Sequence, residues 1–404
     1  MKRFRALLFW GHLTAGVLGA VVILVMSFTG VVLALKPQIQ NWVDRDVRRV
    51  TPQGARLGAL ELLTSVKQAI PEASPQALAF SVDPTVAASV NLGREGTVYV
   101  NQYTGAVQGA ASVRTSQFFQ AMTSWHRYMG ATGEYRATGR AATGASNLVF
   151  LLLGLSGLYL WWPKAMTIRH LRPIVWFRQS STGKAREFNW HNAIGFWCLI
   201  PIVIMTVSGV VISYQWGGNL VYRLTGSPIP AGRSAGPGGP GGAQVPVIPA
   251  ALNVIVARAE GQVPTWSQLS LRLPTRDGGP VSFTITDGAQ WTQFARNQLT
   301  LDGRNGDVVQ WQPYVEQNLG QKMRGWLRFA HTGELGGLAG QISAGVGCLG
   351  GVFLVYTGFS LAVRRLWNWS LWARLARSRR VHTVTPGQTV PSAAAAQQLN
   401  ASGT

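Results

Sequence analysis

Long apolar stretches alternate with long polar stretches along this chain of 404 residues. Four of the apolar stretches have the length of a membrane-spanning helix, and they cover residues 1–36, 143–162, 191–216 and 338–363. About 20 apolar residues in a helix cross the hydrocarbon core of a bilayer, which is roughly 30 Å thick. The pattern therefore predicts a mainly α-helical membrane protein with four transmembrane helices.

The polar stretches differ in their content of lysine and arginine. Residues 1–5, 163–190 and 364–404 contain fifteen of these cations and one acidic residue, whereas residues 36–142 and 217–337 contain twenty-one cations and fourteen acidic residues. Short basic segments stay on the cytoplasmic side of a membrane. We therefore expect both termini, the 163–190 loop and the basic 364–404 tail to be cytoplasmic in the inner membrane of a bacterium. The two longer segments are then periplasmic.

Each of the two longer segments predicts a small α+β domain. In residues 37–142 a helix is expected at 57–70, followed by strands at 77–82, 88–92 and 97–101 and by a turn with a further strand at 103–107. Residues 217–337 repeat this order, with a helix at 250–259, strands at 269–273, 281–286 and 297–302, and a turn and strand at 303–309. Residues 231–244 are rich in Gly and Pro and predict a flexible connector.

The second half of the chain repeats the first, with a histidine at the same place in each copy. Alignment of His12 with His191 brings further positions into register, which pair Gly16 with Gly195, Met26 with Met205 and Gly30 with Gly209. The other two apolar runs also match, and they follow His126 and His331. The predicted fold class is a four-transmembrane-helix bundle from two parallel two-helix repeats, each with a periplasmic α+β module.

Short motifs in the spans and modules resemble those of a known family. The helical part contains Gly11-His12, Thr29-Gly30, Trp125-His126-Arg127 and Ser156-Gly157-Leu158-Tyr159-Leu160-Trp161-Trp162-Pro163. The modules contain the turns Asn-x-x-Thr-Gly at 101–105 and Asp-x-x-Asn-Gly at 302–306. Over nearly all of residues 1–370 the chain resembles the PepSY-associated transmembrane family, and its outer segments resemble PepSY domains. Members of this family include inner-membrane reductases of ferric siderophores.

The four repeat-related histidines are the candidate functional residues. Two repeats with an even number of spans have the same orientation, so a pseudo-two-fold axis along the membrane normal places His12 opposite His191 and His126 opposite His331. Two facing imidazoles form a bis-histidine haem site, which suits electron transfer because the iron is coordinatively saturated. We expect two b-type haems near opposite faces of the membrane, with these histidines as axial ligands.

Other interpretations of the histidines are open at the level of sequence. A histidine near a membrane is often hydrogen-bonded to a neighbouring carbonyl or headgroup, although four at duplicated positions favour ligation. A zinc or copper site is less favoured, because only Glu134 and Glu334 lie near at ligand spacing. Met26 and Met205 match by symmetry and are alternative axial ligands, but their positions in the spans favour core packing. Cys198 and Cys348 are interpreted as core residues.

Residues around the histidines fit a haem as well. Four arginines are candidates for pairing with haem propionates on the outer side, namely Arg127, Arg140, Arg324 and Arg328. Four glycines would let a flat macrocycle approach the helix backbone, namely Gly16, Gly195, Gly144 and Gly345. Contact of the arginines with the membrane interface and ordinary helix packing at the glycines are the alternatives.

The family resemblance implies one-electron reduction of a periplasmic ferric chelate, such as a ferric siderophore. The chain lacks a Gly-x-Gly-x-x-Gly fingerprint, so a separate donor, either a cytoplasmic reductase or quinol, must supply electrons. No catalytic acid, base or nucleophile is expected. Two alternatives are a non-enzymatic anchor whose PepSY-like modules bind a periplasmic partner, and an iron or siderophore transporter kinked at Pro201. The net charge of +21 is assigned to contact with membrane lipid rather than with nucleic acid.

Overall fold

A computed structural model describes residues 2–163, 167–178, 183–230, 245–288 and 294–381. The predicted connector 231–244 and most of the predicted tail lie outside the described residues. The described helices are α1 (Lys2–Ala34), α2 (Lys36–Val43), α3 (Arg45–Arg48), α4 (Ala59–Ala69), α5 (Val113–Tyr128), α6 (Arg136–Trp161), α7 (Ile168–Val175), α8 (Gly183–Ser213), α9 (Gln215–Leu224), α10 (Leu252–Gln262), α11 (Leu319–Thr332) and α12 (Gly337–Val381). The described strands are β1 (Ala77–Ser81), β2 (Ala88–Asn91), β3 (Thr97–Val100), β4 (Val107–Ala110), β5 (Trp266–Arg272), β6 (Val281–Asp287), β7 (Arg296–Leu301) and β8 (Val308–Gln312).

Four helices are long and apolar enough to cross a membrane, and they are α1, α6, α8 and α12. Each packs against two of the others, so that α1, α6, α8 and α12 form a closed ring of neighbours. Large apolar side chains such as Leu18 and Ile200 are 81% and 73% exposed on the outside of this ring, where lipid would cover them. The chain is therefore a multi-pass membrane protein.

The long helices extend beyond the predicted spans. Helix α8 begins at Gly183, so the predicted 163–190 loop contains both α7 and the first turns of α8. Helix α6 begins at Arg136 rather than at 143, and α12 continues to Val381, well into the predicted 364–404 tail. The hydrophobic pattern marks only the apolar part of each helix, and polar helical turns continue past it.

Small residues bring the four helices together at repeat-related positions. A Cβ atom on Gly30 would lie 2.7 Å from Cys348 Sγ, and one on Gly209 would lie 2.9 Å from the amide of Asn147. The Asn147 amide donates to the Thr206 carbonyl at 2.9 Å. The α1–α12 and α8–α6 contacts therefore use matching positions, as close packing of membrane helices through small and polar residues requires.

The eight strands form one continuous antiparallel sheet with the order β4-β3-β2-β1-β5-β6-β7-β8. Strands β1 and β5 join the two four-stranded halves, with Ala79 opposite Ser270 at the middle of the shared ladder. The sequence predicts one α+β module in each half of the chain, and the structure joins the strands of both halves in one sheet. Each module alone would leave β1 or β5 as an edge with unpaired N–H and C=O groups, and pairing between the halves satisfies both.

Helices α4 and α10 cover one face of the sheet. Alternate strand residues point into the core beneath them, and Leu78, Leu269 and Leu271 have no exposed surface. The turns after β3 and β7 are alike, since Asn101 Oδ1 and Asp302 Oδ1 each accept from two backbone N–H groups. The following glycines, Gly105 and Gly306, have φ values of +74° and +72°, which favour glycine.

The other face of the sheet is turned toward the helix bundle. Val47 of α3, the short helix that follows α1 and α2, packs against Tyr99 of β3 on this face. At the opposite side, the Arg296 guanidinium of β7 lies 5.1 Å from the ring centre of Phe329 in α11. These links place the C-terminal ends of α1 and α8 at the end of the bundle near the sheet, which we call the sheet-proximal end. The opposite end is the sheet-distal end.

Candidate functional site

His126 and His331 meet at the sheet-proximal end of the bundle. They lie on α5 and α11, which are outside the four spans and pack against α1 and α8, respectively. Their ring centroids are 6.3 Å apart and their planes are inclined by 65°. The structure thus brings together one of the two predicted pairs, His126 and His331.

The two rings of this pair have matching hydrogen-bond partners. His126 Nδ1 lies 3.1 Å from Thr29 Oγ1 and 3.0 Å from the Met26 carbonyl. His331 Nδ1 lies 3.0 Å from Ser208 Oγ and 2.9 Å from the Met205 carbonyl. Met26 and Met205 therefore take part through their backbone oxygens, while the Met205 sulfur packs 3.6 Å from Cys348 Sγ.

His12 and His191 line one cavity toward the sheet-distal end. His12 Nδ1 lies 2.8 Å from Ser156 Oγ, and His191 Nδ1 lies 2.9 Å from Thr357 Oγ1. The next residue in each case is a glycine, and a Cβ on Gly157 or Gly358 would lie 3.4 or 3.2 Å from the Cε1 atom of the adjacent histidine. The absence of a side chain at these glycines lets each imidazole lie against the neighbouring helix.

The hydroxyl partners determine which ring nitrogen carries the proton. Each of the four hydroxyl groups donates its own hydrogen to the carbonyl four residues earlier in its helix, at 2.6–2.7 Å. Its oxygen is then left as an acceptor for the Nδ1–H group of the histidine. A neutral imidazole protonated at Nδ1 has its free lone pair on Nε2, the nitrogen that would bind a metal. All four rings are thus held in the tautomer that ligation needs.

Sequence reasoning missed these four hydroxyl residues as members of the site. A signal was present, because each span contains a Ser or Thr directly before a glycine: Thr29-Gly30, Ser156-Gly157, Ser208-Gly209 and Thr357-Gly358. Such pairs are common at membrane-helix interfaces. Their repetition at matched positions in all four spans is the observation that would have identified them.

The cavity between His12 and His191 is large and apolar. It contains about 990 Å³ of empty space, counting the part that is open to the outside. Gly16 and Gly195 line it, together with aromatic residues that include Phe150, Trp161 and Phe196.

The other two predicted glycines belong to helix packing. A Cβ on Gly144 would lie 2.9 Å from the Tyr214 hydroxyl, and one on Gly345 would lie 3.6 Å from the Ala34 side chain. Both positions therefore face protein rather than open space. Neither glycine lines the cavity between His12 and His191.

The electrostatic surroundings of the sheet-proximal pair are strongly positive. Burial, reinforced by the charge of His331, lowers the pKa of His126 to about 4 and keeps its imidazole neutral. Burial also lowers the pKa of Arg296, and the charge of the nearby Arg328 adds to this effect, while Glu334 opposes it. Neutral imidazoles surrounded by cations favour an anionic ligand at this end of the bundle.

The four predicted arginines lie near the sheet-proximal end without carboxylate partners among the described ion pairs. Arg127 lies over Tyr128 at 5.4 Å from the ring centre, and Arg324 lies over Tyr222 at 5.8 Å. Arg140 donates to the Ser213 carbonyl at 3.3 Å, and Arg328 is exposed. Their side chains therefore have charge left to pair with an anion.

The donor set fits a metal group held by two imidazoles rather than a metal ion enclosed by three or more protein ligands. Two imidazoles bound on opposite sides of one metal, with bonds of about 2.0 Å, have ring centroids roughly 6–6.5 Å apart. The separation of 6.3 Å between His126 and His331 fits this arrangement. In the part of the chain that the structure describes, no group of three or more His, Cys, Asp or Glu residues is placed to hold a metal ion.

The fold and the site define a class of protein: a multi-pass membrane bundle that carries an extramembrane sheet and two histidine pairs, one toward each end. A family model for the PepSY-associated TM region matches residues 9–365. The chain therefore belongs to the PepSY-associated transmembrane family, as the sequence motifs predicted. No curated protein matches it at a significant level.

Proposed function

We propose that the chain binds two b-type haems, one between His12 and His191 and one between His126 and His331, and passes single electrons along the bundle to a ferric chelate. A ferric siderophore is the preferred substrate. The haems would supply the one-electron chemistry, and the protein would supply their positions and surroundings. Fe(II) is held less tightly than Fe(III) by hard oxygen chelators, so reduction would release the iron.

The observation that carries this proposal is the duplicated environment of the four histidines. A histidine that serves only to satisfy its own polarity needs one partner and no symmetry. Here every ring donates from Nδ1 to a repeat-related hydroxyl and keeps Nε2 as a lone-pair donor. A hydrogen bond from the ring nitrogen that does not bind the metal accompanies nearly all metal-binding histidines.

The remaining residues of the two sites have supporting parts in the proposal. The apolar lining of the sheet-distal cavity excludes water from its group, which Gly16 and Gly195 allow to approach the backbone. At the sheet-proximal end, Arg127, Arg140, Arg324 and Arg328 would pair with carboxylates of the bound group or of the chelate. The electron acceptor would bind between these arginines and the open face of the sheet.

The proposal includes a location and an orientation. The chain would lie in the inner membrane of a bacterium with both termini in the cytoplasm, and the two halves of the sheet would be periplasmic PepSY-like modules of a duplicated two-helix repeat. Electrons would come from a cytoplasmic reductase or from quinol. The net positive charge of the short connecting segments supports this orientation.

A reduced-minus-oxidised absorption spectrum of the purified protein, with haem counted per chain, tests the proposal. Sharp low-spin b-type bands and about two haems per chain are expected. His12→Ala or His191→Ala should remove one haem, and His126→Ala or His331→Ala the other. His170→Ala is the matched control, because His170 is exposed and contacts Thr167 of its own loop.

A substrate assay follows on the same preparation. The reduced protein should be reoxidised by a ferric chelate, and the His126→Ala variant should be reoxidised far more slowly because it lacks the sheet-proximal haem. Colourless protein from cells supplied with a haem precursor would contradict the proposal. The non-enzymatic anchor would then become the better account of the fold.

A further inference from the structure

The sheet-distal cavity contains a hydrogen-bond donor that the protein itself leaves unused. Trp161, in the last turn of α6, lines this cavity, and its Nε1–H group is buried without a hydrogen-bond partner among the described residues. A buried N–H group without an acceptor is rare in native proteins, because its desolvation is not offset. The geometry therefore calls for an acceptor supplied by whatever occupies the cavity.

The indole is fixed in place by its neighbours. Its ring stacks on Phe196 with centroids 5.1 Å apart and planes inclined by 20°. The adjacent Trp197 also contacts Phe196, but its own N–H donates to the Val175 carbonyl at 3.0 Å. The Trp197 N–H thus has a protein acceptor, whereas the Trp161 N–H has none among the described residues.

The other polar groups in the cavity lining already have partners. The Nδ1 atoms of His12 and His191 are bound to Ser156 and Thr357, and the Asn192 amide donates to the Phe188 carbonyl at 2.8 Å. Among these described groups, Trp161 is therefore the buried donor side chain for which the protein supplies no acceptor at all. A ligand atom that accepts from it must be an oxygen or nitrogen at the edge of the bound group.

Positive charge lies at the same, sheet-distal end of the bundle. The Arg5 guanidinium donates to the Leu160 carbonyl at 2.7 Å, one residue before Trp161. Arg365 lies over Phe9 and Trp10 at 4.7 and 5.0 Å from their ring centres. An acceptor near Trp161 that carries negative charge would be favoured by these cations, and a carboxylate satisfies both requirements.

The donor is present in one half of the duplication only. The repeat that aligns Ser156 with Thr357 and Gly157 with Gly358 aligns Trp161 with Ala362, which has no donor side chain. The ligating histidines are symmetric, so they cannot by themselves determine which way the bound group points. The asymmetric indole can.

We propose that Trp161 is a positioning residue whose indole N–H donates to a carboxylate of the group bound between His12 and His191, and that it directs the carboxylate edge of this group toward the sheet-distal end beside α6. This inference rests on the proposed function, because it takes the bound group to be a haem with its two propionates. It adds an orientation that the histidines alone do not specify.

Redox titration of the sheet-distal haem tests this role in a His126→Ala background, where that haem is the one expected to remain. Trp161→Phe keeps the stacking on Phe196 and removes the N–H. The midpoint potential should fall, because the propionate charge is no longer partly neutralised near the iron. Transfer of this haem to excess apomyoglobin should become roughly five-fold faster, about the worth of one hydrogen bond.

Trp197→Phe is the matched control, since it removes a neighbouring indole N–H that the Val175 carbonyl already accepts, and it should leave both quantities unchanged. Infrared redox-difference bands of the propionates should shift in Trp161→Phe and not in Trp197→Phe. If Trp161→Phe fails to fold, the unsubstituted protein reconstituted with haem dimethyl ester provides the second measurement. This group lacks the charged carboxylates that would accept from Trp161, so it should transfer to apomyoglobin faster than haem, and equal transfer rates would overturn the role of Trp161.

The possible outcomes separate this inference from the proposed function. Two haems per chain in the unsubstituted protein, together with unchanged potential, transfer rate and propionate bands in Trp161→Phe, would overturn the role of Trp161 and leave the haem sites standing. Protein without haem would overturn both.

Discussion

Replacement of Ser156 by alanine is expected to weaken metal binding at His12 more than replacement of Ser208 weakens it at His331. Ser156 is the acceptor that the described residues provide to His12 Nδ1, at 2.8 Å. His331 Nδ1 has two acceptors, Ser208 Oγ at 3.0 Å and the Met205 carbonyl at 2.9 Å. Loss of one hydroxyl therefore leaves His12 without a partner and His331 with one.

The size of the difference follows from the cost of an unsatisfied donor. A buried N–H without an acceptor costs about 1–3 kcal/mol, which corresponds to roughly 5- to 150-fold in an equilibrium constant. The Ser156→Ala variant can avoid this cost by moving the proton to Nε2, but that tautomer has no lone pair for the metal. The Ser208→Ala variant loses one of two shared hydrogen bonds, about 0.5–1.5 kcal/mol or roughly 2- to 10-fold.

The assay is haem transfer to excess apomyoglobin, measured separately for each site. Ser156→Ala is made in the His126→Ala background, which should retain the haem at the His12 pair. Ser208→Ala is made in the His12→Ala background, which should retain the other haem. Each rate is divided by that of its own parent, so that detergent and background effects cancel.

Equal ratios for the two variants would refute the reasoning. They would mean that the hydroxyl partner does not set the tautomer, or that a water takes its place equally well at both sites. Thr357→Val offers an intermediate case, because His191 Nδ1 also lies near the Leu354 carbonyl. Relative to its own parent, the haem transfer rate should increase most in Ser156→Ala, less in Thr357→Val and least in Ser208→Ala.

Three further predictions concern the scaffold. Leu271→Ala, at a fully buried position of β5, should destabilise the protein by about 2–5 kcal/mol, measured by chemical denaturation in detergent, whereas Val308→Ala at an exposed position should change little. Gly30→Ala should lower the free energy of unfolding by about 1–3 kcal/mol, because the new Cβ meets Cys348 Sγ. Adding Cys348→Ala to this variant should restore stability. Gly11→Ala is the control, because there is open space around Gly11. Hydrogen bonds from Thr85 lower the pKa of Asp83. The Asp83 carboxylate therefore stabilises the fold at a pH above its unfolded pKa, and this contribution is lost as the pH falls through the lower folded pKa. Thr85→Val should raise the pKa of Asp83 in a carboxyl NMR titration, and an unchanged pKa would contradict the role of Thr85.

Much of this fold is encoded in patterns that a sequence displays directly. The four spans follow from runs of apolar residues, and the facing positions of His126 and His331 follow from the duplication. The strands lie within a few residues of their predicted positions, because alternation and Asx turns are local properties. Family membership follows from motifs that occur in a fixed order.

Other features depend on contacts between distant segments, which no local pattern specifies. The pairing of β1 with β5 joins two edge strands of similar length, one from each half of the sheet. The sequence of either strand alone does not show which other strand will pair with it. The same holds for Ser156 beside His12, since the hydroxyl and the ring belong to helices 144 residues apart. The unused N–H of Trp161 can be recognised only when every neighbour of the indole is known.

The duplication and its exceptions have different consequences for electron flow. The histidines and their hydroxyl partners are repeated, so on the proposed function both iron sites have the same ligands and the same hydrogen bonds to those ligands. The four candidate arginines are not repeated: Arg127, Arg140, Arg324 and Arg328 align with Thr332, Gln341, Phe119 and Thr123. A cation near a haem favours the reduced state, because reduction adds an electron to the site. The ligands therefore make the two sites alike, and the unrepeated residues, including Trp161 at the opposite end, are what can give them different potentials and the electron a direction.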